Sequence, residues 1–567
     1  MTDNKNKKYP RDKDDNVTNI RQKKRRAGDI EKSVNVKIIV LVSLMVGAIL
    51  FSGFFKVISI KIEHGDEYEM AAVNNLMAKV TEREIAPNRG DILDRNHQSL
   101  AVGNTVYNVI LDVRILKEQQ DYLQEATVDA MVSILGIDEN KARGYLEVDE
   151  SGNLVYDTNY QIIKKKVDYT AGRKISELDY GWLYTETDTK RTYNNDTLAA
   201  QVIGFIRGED KMGLENSYDS ELTGTPGRVF RTYEEDGSVI TQQEEPVKGN
   251  TLITTIDQTM QKFAEEACKE AYNSYKPNYT ATIIMHPGTG EVYAMAQYPS
   301  FYSNEPDKLT DTESDPELLK KWESMSEEER QKEKNEYCYK AWTNYSISRT
   351  FEPGSIYKPI VVAMALEEGL ITPSSTFYCG GSKTVAGWSK PIHCHKKEGH
   401  GQLDVEGVLA KSCNVGMMEI ISKMKPETYY KYNRDFGFHQ KTGIDLPYEN
   451  SASADDHMYS LDELNTVSMA TSSFGQGLSV TPIQALTAYC ATINGGYIMK
   501  PYVVSQVVDA DGNVVKENSP TIVRRVISQE TSDYLRKAME SVVNQDGTAK
   551  KAVIQGYSMG GKTGTAE

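Results

Sequence analysis

Three short groups of residues carry side chains that together could perform acyl transfer. In the first group, Ser355 and Lys358 stand three residues apart, after Pro353-Gly354 and next to an apolar run, IleValValAlaMetAla. This pattern predicts a loop that enters a buried helix, on which residues three apart share a face. A lysine amine can take the proton of a serine hydroxyl if burial or nearby positive charge lowers its pKa. The pair therefore predicts a serine nucleophile with a lysine base.

The other two groups follow later in the chain. Ser412 and Asn414 add a hydroxyl and an amide after a helical stretch, and the group that begins at Lys562 reads Lys-Thr-Gly-Thr in a segment that we predict to be a strand. A single Ser-x-x-Lys pair arises by chance in long proteins, and each of these residues alone is more often a helix cap or a solvated charge. The ordered combination is what predicts one active site.

The chain also carries a predicted membrane anchor. Ile38 to Phe55 is an uncharged apolar run, long enough to span a bilayer, and we predict a transmembrane segment over 38–60. Residues 1–37 hold twelve Lys/Arg against six Asp/Glu, which places this tail in the cytoplasm by the positive-inside rule. A cleaved signal peptide or a buried core helix is the alternative, but the run lacks a small-x-small cleavage site and follows a basic, low-complexity tail.

The remaining residues predict two extracellular domains. The chain of 567 residues has a net charge of −16 although its first segment is basic, and this acidic exterior argues against nucleic acid as a partner. We predict an α+β domain over 61–250 and a second domain over 251–567, which opens with a strand and an amphipathic helix and continues with an apolar hairpin around ProGlyThrGly. The six cysteines are too sparse for a disulfide framework.

In this order, the three groups resemble the signature of the penicillin-binding protein and serine β-lactamase superfamily. Segments 89–96, 213–224 and 473–484 further resemble class B penicillin-binding proteins of the division and sporulation type. The resemblance implies a multidomain fold: an N-terminal transmembrane helix, an α+β pedestal of the dimerisation type, and a transpeptidase-like domain with a central antiparallel sheet flanked by helices. It also implies that the transpeptidase domain is incomplete at its C-terminus, so that the chain expressed alone is expected to be poorly folded or weakly active.

The resemblance implies a role for each motif residue. Ser355 would attack the D-Ala-D-Ala carbonyl with Lys358 as general base, and the acyl-enzyme would form with release of D-alanine. Ser412 would relay a proton to the leaving amine. Asn414 would bind the donor peptide amide and position Lys358, and Lys562 would supply positive charge for proton relay and for the terminal carboxylate.

The end of the third group would complete the substrate site. The hydroxyls of Thr563 and Thr565 would help to bind the carboxylate, and Gly564 would leave room for the substrate along the strand. The backbone N–H groups of Ser355 and Thr565 would form the oxyanion hole. The resemblance implies neither a cofactor nor a metal.

Cysteine and histidine side chains between the first two groups leave three alternatives open. A disulfide between Cys379 and Cys394 is favoured over zinc, because the domain faces an oxidising exterior, both residues lie near the presumed cleft, and some sporulation-type relatives have a similar arrangement. His393, His395 and His400 suit zinc by ligand type, but the spacing matches no recognised zinc motif. Two unpaired thiols are the third alternative.

The function that this resemblance implies is peptidoglycan D,D-transpeptidation in division or sporulation. Stem peptides and β-lactams would be ligands, and the protein would lie in the cell membrane as a single-pass protein with its catalytic domain outside. Because a glycosyltransferase domain is missing, a separate glycosyltransferase and division or sporulation proteins are expected partners. A β-lactamase, a β-lactam sensor and a catalytically silent scaffold are alternatives that the anchor, the pedestal and the intact motifs disfavour.

Overall fold

The structure is a computed structural model that describes residues 37–56, 58–59, 61, 80–233, 239–310, 316–450, 458–544 and 547–566. By its internal contacts the chain forms two compact units, one of residues 1–83 and 229–243 and one of residues 84–228 and 244–567. The predicted cytoplasmic tail, except for Lys37, lies outside the described residues.

The strands, in chain order, are β1 (Val80–Ile85), β2 (Ile92–Leu93), β3 (Ser99–Leu111), β4 (Gln161–Val167), β5 (Leu183–Tyr193), β6 (Ile206–Arg207), β7 (Asp210–Lys211), β8 (Gly227–Tyr233), β9 (Val239–Glu244), β10 (Thr251–Thr254), β11 (Thr280–Met285), β12 (Val292–Tyr298), β13 (Phe301–Tyr302), β14 (Glu305–Leu309), β15 (Thr376–Cys379), β16 (Ser382–Lys383), β17 (Ile392–His393), β18 (Gly401–Asp404), β19 (Tyr497–Met499), β20 (Val504–Val508), β21 (Val514–Glu517) and β22 (Ile522–Arg525).

The helices are α1 (Lys37–Lys56), α2 (Val113–Lys117), α3 (Asp121–Ser133), α4 (Glu139–Gly144), α5 (Tyr169–Ser176), α6 (Ala200–Ile203), α7 (Gly213–Ser217), α8 (Asp219–Thr223), α9 (Gln258–Tyr275), α10 (Pro316–Glu323), α11 (Glu327–Trp342), α12 (Tyr345–Ser348), α13 (Lys358–Glu367), α14 (Val405–Ala410), α15 (Asn414–Ile421), α16 (Pro426–Asp435), α17 (Thr466–Ser472), α18 (Pro482–Ala491) and α19 (Gln529–Val543). Short 3-10 turns cover Gly354–Tyr357, Leu461–Glu463 and Lys550–Ala552.

The first unit contains the predicted anchor. Helix α1 has 20 residues, and its apolar side chains are exposed in the protein. By length and composition it can cross a bilayer, where lipid would cover those side chains. Strands β1, β8 and β9 form a three-stranded sheet in the order β1-β8-β9.

A seven-stranded sheet runs through the second unit in the order β21-β20-β10-β2-β3-β4, with β5 also paired to β3. Strand β10 pairs in parallel with β2 through Leu252 and Ile92, and antiparallel with β20 through Leu252 and Val507. All three side chains are buried in one core. The boundary that we predicted near residue 250 therefore falls inside a continuous sheet.

Helices α3 to α5 cover the β3, β4 and β5 end of this sheet and enclose a second core, with Met131, Ile175 and Leu183 buried in it. This mixture of antiparallel strands and helices confirms the predicted α+β fold of the pedestal. In β4, Ile163 and Val167 are buried in this core, and Lys164 to Lys166 between them are exposed.

A buried ion network joins the two pedestal segments singled out in the sequence. The carboxylate of Glu215 in α7 is fully buried and accepts from Arg89 Nε and Arg191 Nε, both at 2.6 Å. Arg89 also donates from Nη1 to Asp219 (2.7 Å). Segments 89–96 and 213–224 are thus held together by buried, desolvated ion pairs.

The predicted apolar hairpin is confirmed as β11 and β12, which pair antiparallel. One face packs through Ala294 and Ala296 against Ala264 and Cys268 of α9, and Met295 on the other face enters the core shared with the large sheet. Because successive side chains point to opposite faces, β12 is buried on both sides, while β11 is half-buried. This is the central sheet with flanking helices that the sequence predicted.

The largest core surrounds α13. Every residue from Lys358 to Ala365 is buried, and the helix packs against α15 and α19. Such a helix, apolar all round, belongs in the centre of a domain. The residues that precede and begin it are therefore placed rigidly.

We expect the substitution Glu215→Gln to lower the free energy of unfolding by about 3 to 5 kcal/mol, because the amide leaves Arg191 buried without a counter-charge and leaves Arg89 with Asp219 alone. The two arginine side chains are only 9% and 12% exposed. Urea unfolding of the detergent-solubilised protein measures the change. The matched control is Asp157→Asn, whose partner is Arg114; both side chains are more than half exposed. That change should cost less than about 1 kcal/mol. Equal effects of the two substitutions would contradict a stabilising role of the buried network.

Candidate functional site

The predicted nucleophile lies at the start of the buried helix. Ser355 is in the 3-10 turn Gly354–Tyr357, and α13 begins at Lys358. The predicted loop into a buried helix is confirmed, although Ser355 is in a 3-10 turn and not in the α-helix itself. Gly354 has a φ of +54° and its N–H donates to Gly475 O (2.9 Å). The turn is therefore held from behind by a second segment of the chain.

The predicted base, Lys358, is fully buried and surrounded by oxygen atoms. Its Nζ donates to Ser412 O (2.7 Å), Ser412 Oγ (3.1 Å) and Asn414 Oδ1 (2.7 Å). Burial, with a smaller contribution from the positive charge of Lys562, lowers the pKa of Lys358 to about 7. A substantial fraction of the amine is therefore neutral near neutral pH, as a general base requires.

The backbone around Ser412 forms a tight joint between two helices. Helix α14 ends in a Schellman motif, in which Ser412 N–H donates to Leu409 O (3.1 Å) and Cys413 N–H to Val408 O (2.9 Å). Ser412 has a φ of +50°, the left-handed conformation that glycine usually supplies at this position. Cys413 then caps α15, because its Sγ accepts from Gly416 N–H (3.3 Å). This joint aims the Ser412 hydroxyl and the Asn414 amide at Lys358.

Lys562 contacts the same hydroxyl as Lys358. Its Nζ donates to Ser412 Oγ (2.9 Å) and to Thr563 O (3.0 Å), and burial lowers its pKa to about 8. Ser412 Oγ thus lies between two amines, in hydrogen-bonding contact with both. This arrangement can carry a proton from one amine to the other.

The third motif lies against the nucleophile turn, but it is not a strand. Residues 557–566 form neither helix nor strand, so our prediction of a strand is wrong for the described structure. A strand needs a ladder of hydrogen bonds to a neighbour, and none of the described strands pairs with this segment. The motif nevertheless packs closely: a Cβ on Gly354 would lie 2.2 Å from Thr565 O, and one on Gly564 would lie 3.1 Å from Pro353 O.

The hydroxyls of the third motif are placed differently from one another. Thr563 Oγ1 donates to Thr548 Oγ1 (3.0 Å), while Thr565 is exposed beside the turn that holds Ser355. The structure therefore brings the three predicted motifs to one site. The predicted functions of Thr563, Gly564 and Thr565 in carboxylate and oxyanion binding stay predictions.

The structure contains no disulfide between Cys379 and Cys394, since both are free thiols. Their sulfurs lie in a cluster with Cys413 and His400, in which all four ligand atoms are within 4.8 Å of one another. The predicted pairing concerns an oxidised state and stays a prediction. Cys413 was not predicted as a member of this cluster, because in the sequence it is the middle residue of the second motif.

The residues that contact the nucleophile turn from behind were not predicted either. Besides Gly475, Gly477 N–H donates to Glu352 Oε1 (3.0 Å), just before the turn. A Cβ on Gly475 would lie 2.0 Å from Gly354 O, so only glycine fits there. The signal was the paired glycines in SerPheGlyGlnGly, both of which have φ values near +80°.

Family models of known proteins match both halves of the chain. The family model of the penicillin-binding protein transpeptidase domain matches residues 280–567, and that of the penicillin-binding protein dimerisation domain matches residues 84–254. Stage V sporulation protein D of Bacillus subtilis is 32% identical over 489 residues, which cover 85% of this chain and 69% of that protein. Peptidoglycan D,D-transpeptidase FtsI of Buchnera aphidicola is 28% identical over 84% of this chain and 76% of its own.

Solved structures have the same fold. Penicillin-binding protein 3 of Mycobacterium tuberculosis, complexed with aztreonam, aligns with a TM-score of 0.59 and 25% identity over 85% of this chain and 82% of that one. Penicillin-binding protein 2X of Streptococcus thermophilus has a TM-score of 0.64 at 23% identity over 82% and 66%, which is a likeness of fold. The chain belongs to the class B penicillin-binding proteins, with a dimerisation domain followed by a transpeptidase domain.

Proposed function

We propose that this protein is a peptidoglycan D,D-transpeptidase in which Ser355 forms the acyl-enzyme. The observation that carries the proposal is the position of Ser412 Oγ beside the turn that holds Ser355, 3.1 Å from the buried Lys358 Nζ and 2.9 Å from the partly buried Lys562 Nζ. A solvated lysine would be protonated and could not act as a base, so the lowered pKa of Lys358 supports its assignment.

Acylation begins with the terminal D-Ala-D-Ala amide of a stem peptide. The neutral amine of Lys358 takes the proton of Ser355 Oγ as that oxygen attacks the carbonyl carbon. The carbonyl oxygen becomes an oxyanion, which the N–H groups of Ser355 and Thr565 stabilise. Each such donor contributes roughly 2.7 to 4 kcal/mol in other acyl-transfer enzymes. The close packing of Thr565 against Gly354 supports this pair of donors.

The C–N bond then breaks and the terminal D-alanine leaves as a free amine. Its nitrogen needs a proton, which Ser412 Oγ supplies while it receives one from a neighbouring ammonium group. The ammonium group of Lys358 holds the proton taken from Ser355, so this proton can pass through Ser412 Oγ to the leaving amine. The amine of a second stem peptide later attacks the ester, passes its proton back along this path and releases Ser355.

Substrate orientation falls to the second and third motifs. Lys562 and the hydroxyls of Thr563 and Thr565 bind the terminal carboxylate, and Asn414 binds the donor peptide amide. Asn414 Nδ2 has only a long contact, 3.3 Å to His393 O, and can exchange it for a substrate carbonyl. Gly564 offers no side chain where the peptide must pass.

The protein works at the outer surface of the cell membrane, with its N-terminus in the cytoplasm. Helix α1 and the preceding basic residues support this orientation. A separate glycosyltransferase supplies the glycan strands, together with division or sporulation proteins. The likeness to stage V sporulation protein D supports a place in division or sporulation.

We expect the full-length protein to gain the mass of one benzylpenicillin on Ser355, and the substitution Ser355→Ala to abolish the adduct without unfolding the protein. Intact-mass and peptide-mass spectrometry measure this outcome. The control is Ser422→Ala, an exposed serine at the end of α15, which should acylate normally. An adduct on a residue other than Ser355 would contradict the assigned nucleophile, and its release within seconds would indicate a β-lactamase.

We expect the acylation rate to rise as the pH rises through about 7 and to fall above about 8. Below 7 Lys358 becomes protonated and cannot accept the proton of Ser355, and above 8 Lys562 loses the charge that binds the carboxylate. Groups that act on Lys358 besides Lys562 are Cys394 and Cys413. Stopped-flow acylation with a fluorescent penicillin gives the profile.

Two variants separate the limbs of this profile. Lys562→Gln removes a positive charge near Lys358, so the lower limb should move to higher pH. Lys358→Gln should lower the acylation rate about 10²- to 10⁴-fold at the pH optimum, the usual contribution of a general base, and should remove the lower limb. A profile that Lys562→Gln leaves unchanged would show that the two amines are not coupled.

A further inference from the structure

We propose that Cys379, Cys394, His400 and Cys413 bind one zinc ion, which fixes the loop that carries Ser412 and Asn414. The metal site itself does not depend on the proposed function, whereas its effect on the loop matters for catalysis only if that function is right. Three thiols and one imidazole are the ligand set of closed, structural zinc sites.

The distances within this cluster suit a tetrahedral ion. Cys394 Sγ lies 3.6 Å from His400 Nδ1 and 4.0 Å from Cys413 Sγ. For Zn–S bonds of about 2.3 Å and Zn–N bonds of about 2.0 Å, a tetrahedron has edges of roughly 3.5 to 3.8 Å. All four ligand atoms lie within 4.8 Å of one another, so a small contraction completes the site.

The backbone brings the ligand-bearing segments together by close contacts that only glycine permits. Gly381 and Gly399 both have positive φ values, and a Cβ on either would lie about 2 Å from a carbonyl oxygen, of Lys397 and Cys379 respectively. Cys394 N–H also donates to Gly381 O (2.9 Å). The loop from β17 to β18 is thus folded back onto the end of β15, with the three sulfurs buried inside.

Backbone N–H groups surround two of the three sulfurs. Gly416 N–H donates to Cys413 Sγ (3.3 Å), and the N–H groups of Lys396, Asn414 and Val415 hydrogen-bond to Cys394. Donors of this kind surround thiolates that bind metals, where they orient the ligand and tune its charge. Three cysteines can form only one disulfide among themselves. A disulfide would therefore leave one thiol and the imidazole unused, whereas a zinc ion would bind all four side chains.

The ion would act on the catalytic site through the chain itself. Cys413 lies between Ser412 and Asn414, and Asn414 Nδ2 contacts His393 O, the residue before Cys394. A metal bond to Cys413 would therefore tie the joint between α14 and α15 to the loop after β17. The ion is a positioning element and does not touch the substrate, because all four of its coordination positions are filled by protein.

Metal analysis of the full-length protein, purified without chelator, tests the site. We expect inductively coupled plasma mass spectrometry to find one zinc ion per chain in the wild type. The variants Cys413→Ser and His400→Ala should lose this ion. The matched controls are Cys490→Ser, a buried cysteine elsewhere, and His395→Ala, an exposed histidine beside the cluster; both should keep the ion. Cobalt added to the chelated wild-type protein should give the visible absorption of a tetrahedral cobalt thiolate, a readout that does not depend on variant folding.

Acylation by fluorescent penicillin tests the effect on the loop. Chelation should slow acylation of the wild type about 10- to 100-fold, and zinc should restore it. Ser355→Ala should lose acylation but keep its zinc, so that failure of the proposed function and failure of the metal site are distinguishable. Absence of metal with all six thiols titratable, or with two of them in a disulfide, would overturn the proposal. Zinc whose removal leaves acylation unchanged would overturn its action on the loop.

Discussion

The interaction on which the catalytic half depends is the burial of the Lys358 amine among three oxygen atoms. An amine in a helix that is buried all round can be tolerated only if its hydrogen bonds are satisfied, and all of its acceptors come from Ser412 and Asn414. The same contacts dock the start of α15 onto the start of α13. The same atoms therefore serve packing and chemistry. Burial lowers the pKa of the Lys358 amine, and the buried amine needs the hydrogen bonds of Ser412, whose hydroxyl also relays the proton.

The placement of Ser355 follows from this core and from glycines on either side of it. The turn that carries Ser355 has no freedom to move, since α13 is fixed behind it and the carbonyl of Gly475 and the backbone of Thr565 lie against Gly354. The pedestal is held by a different principle, the buried ion network of Glu215, while the shared sheet through β10 joins it to the catalytic half. A rigid support for the site is the common result.

Much of this arrangement could be predicted from the sequence, because it depends on local signals. Pro-Gly before an apolar run located the turn at Ser355, and a hairpin pattern located β11 and β12. Long-range geometry could not be predicted in this way. The pairing of β10 with β20 joins residues about 250 positions apart, and the strand expected at Lys562 depended on a neighbouring strand that no local pattern can supply. Cys413 was overlooked because it approaches Cys394 and His400 only in the folded chain.

The left-handed conformation of Ser412 lowers the stability of the fold at a position where the side chain is needed for activity. A non-glycine residue with this φ costs about 1 to 3 kcal/mol, and glycine would relieve the strain while keeping the Schellman motif. Selection for heat resistance alone would thus favour a glycine that removes the hydroxyl between the two amines. We expect the serine to be retained only where selection acts on cross-linking. A relative with glycine at this position and the other motifs intact would have kept the fold and lost the activity.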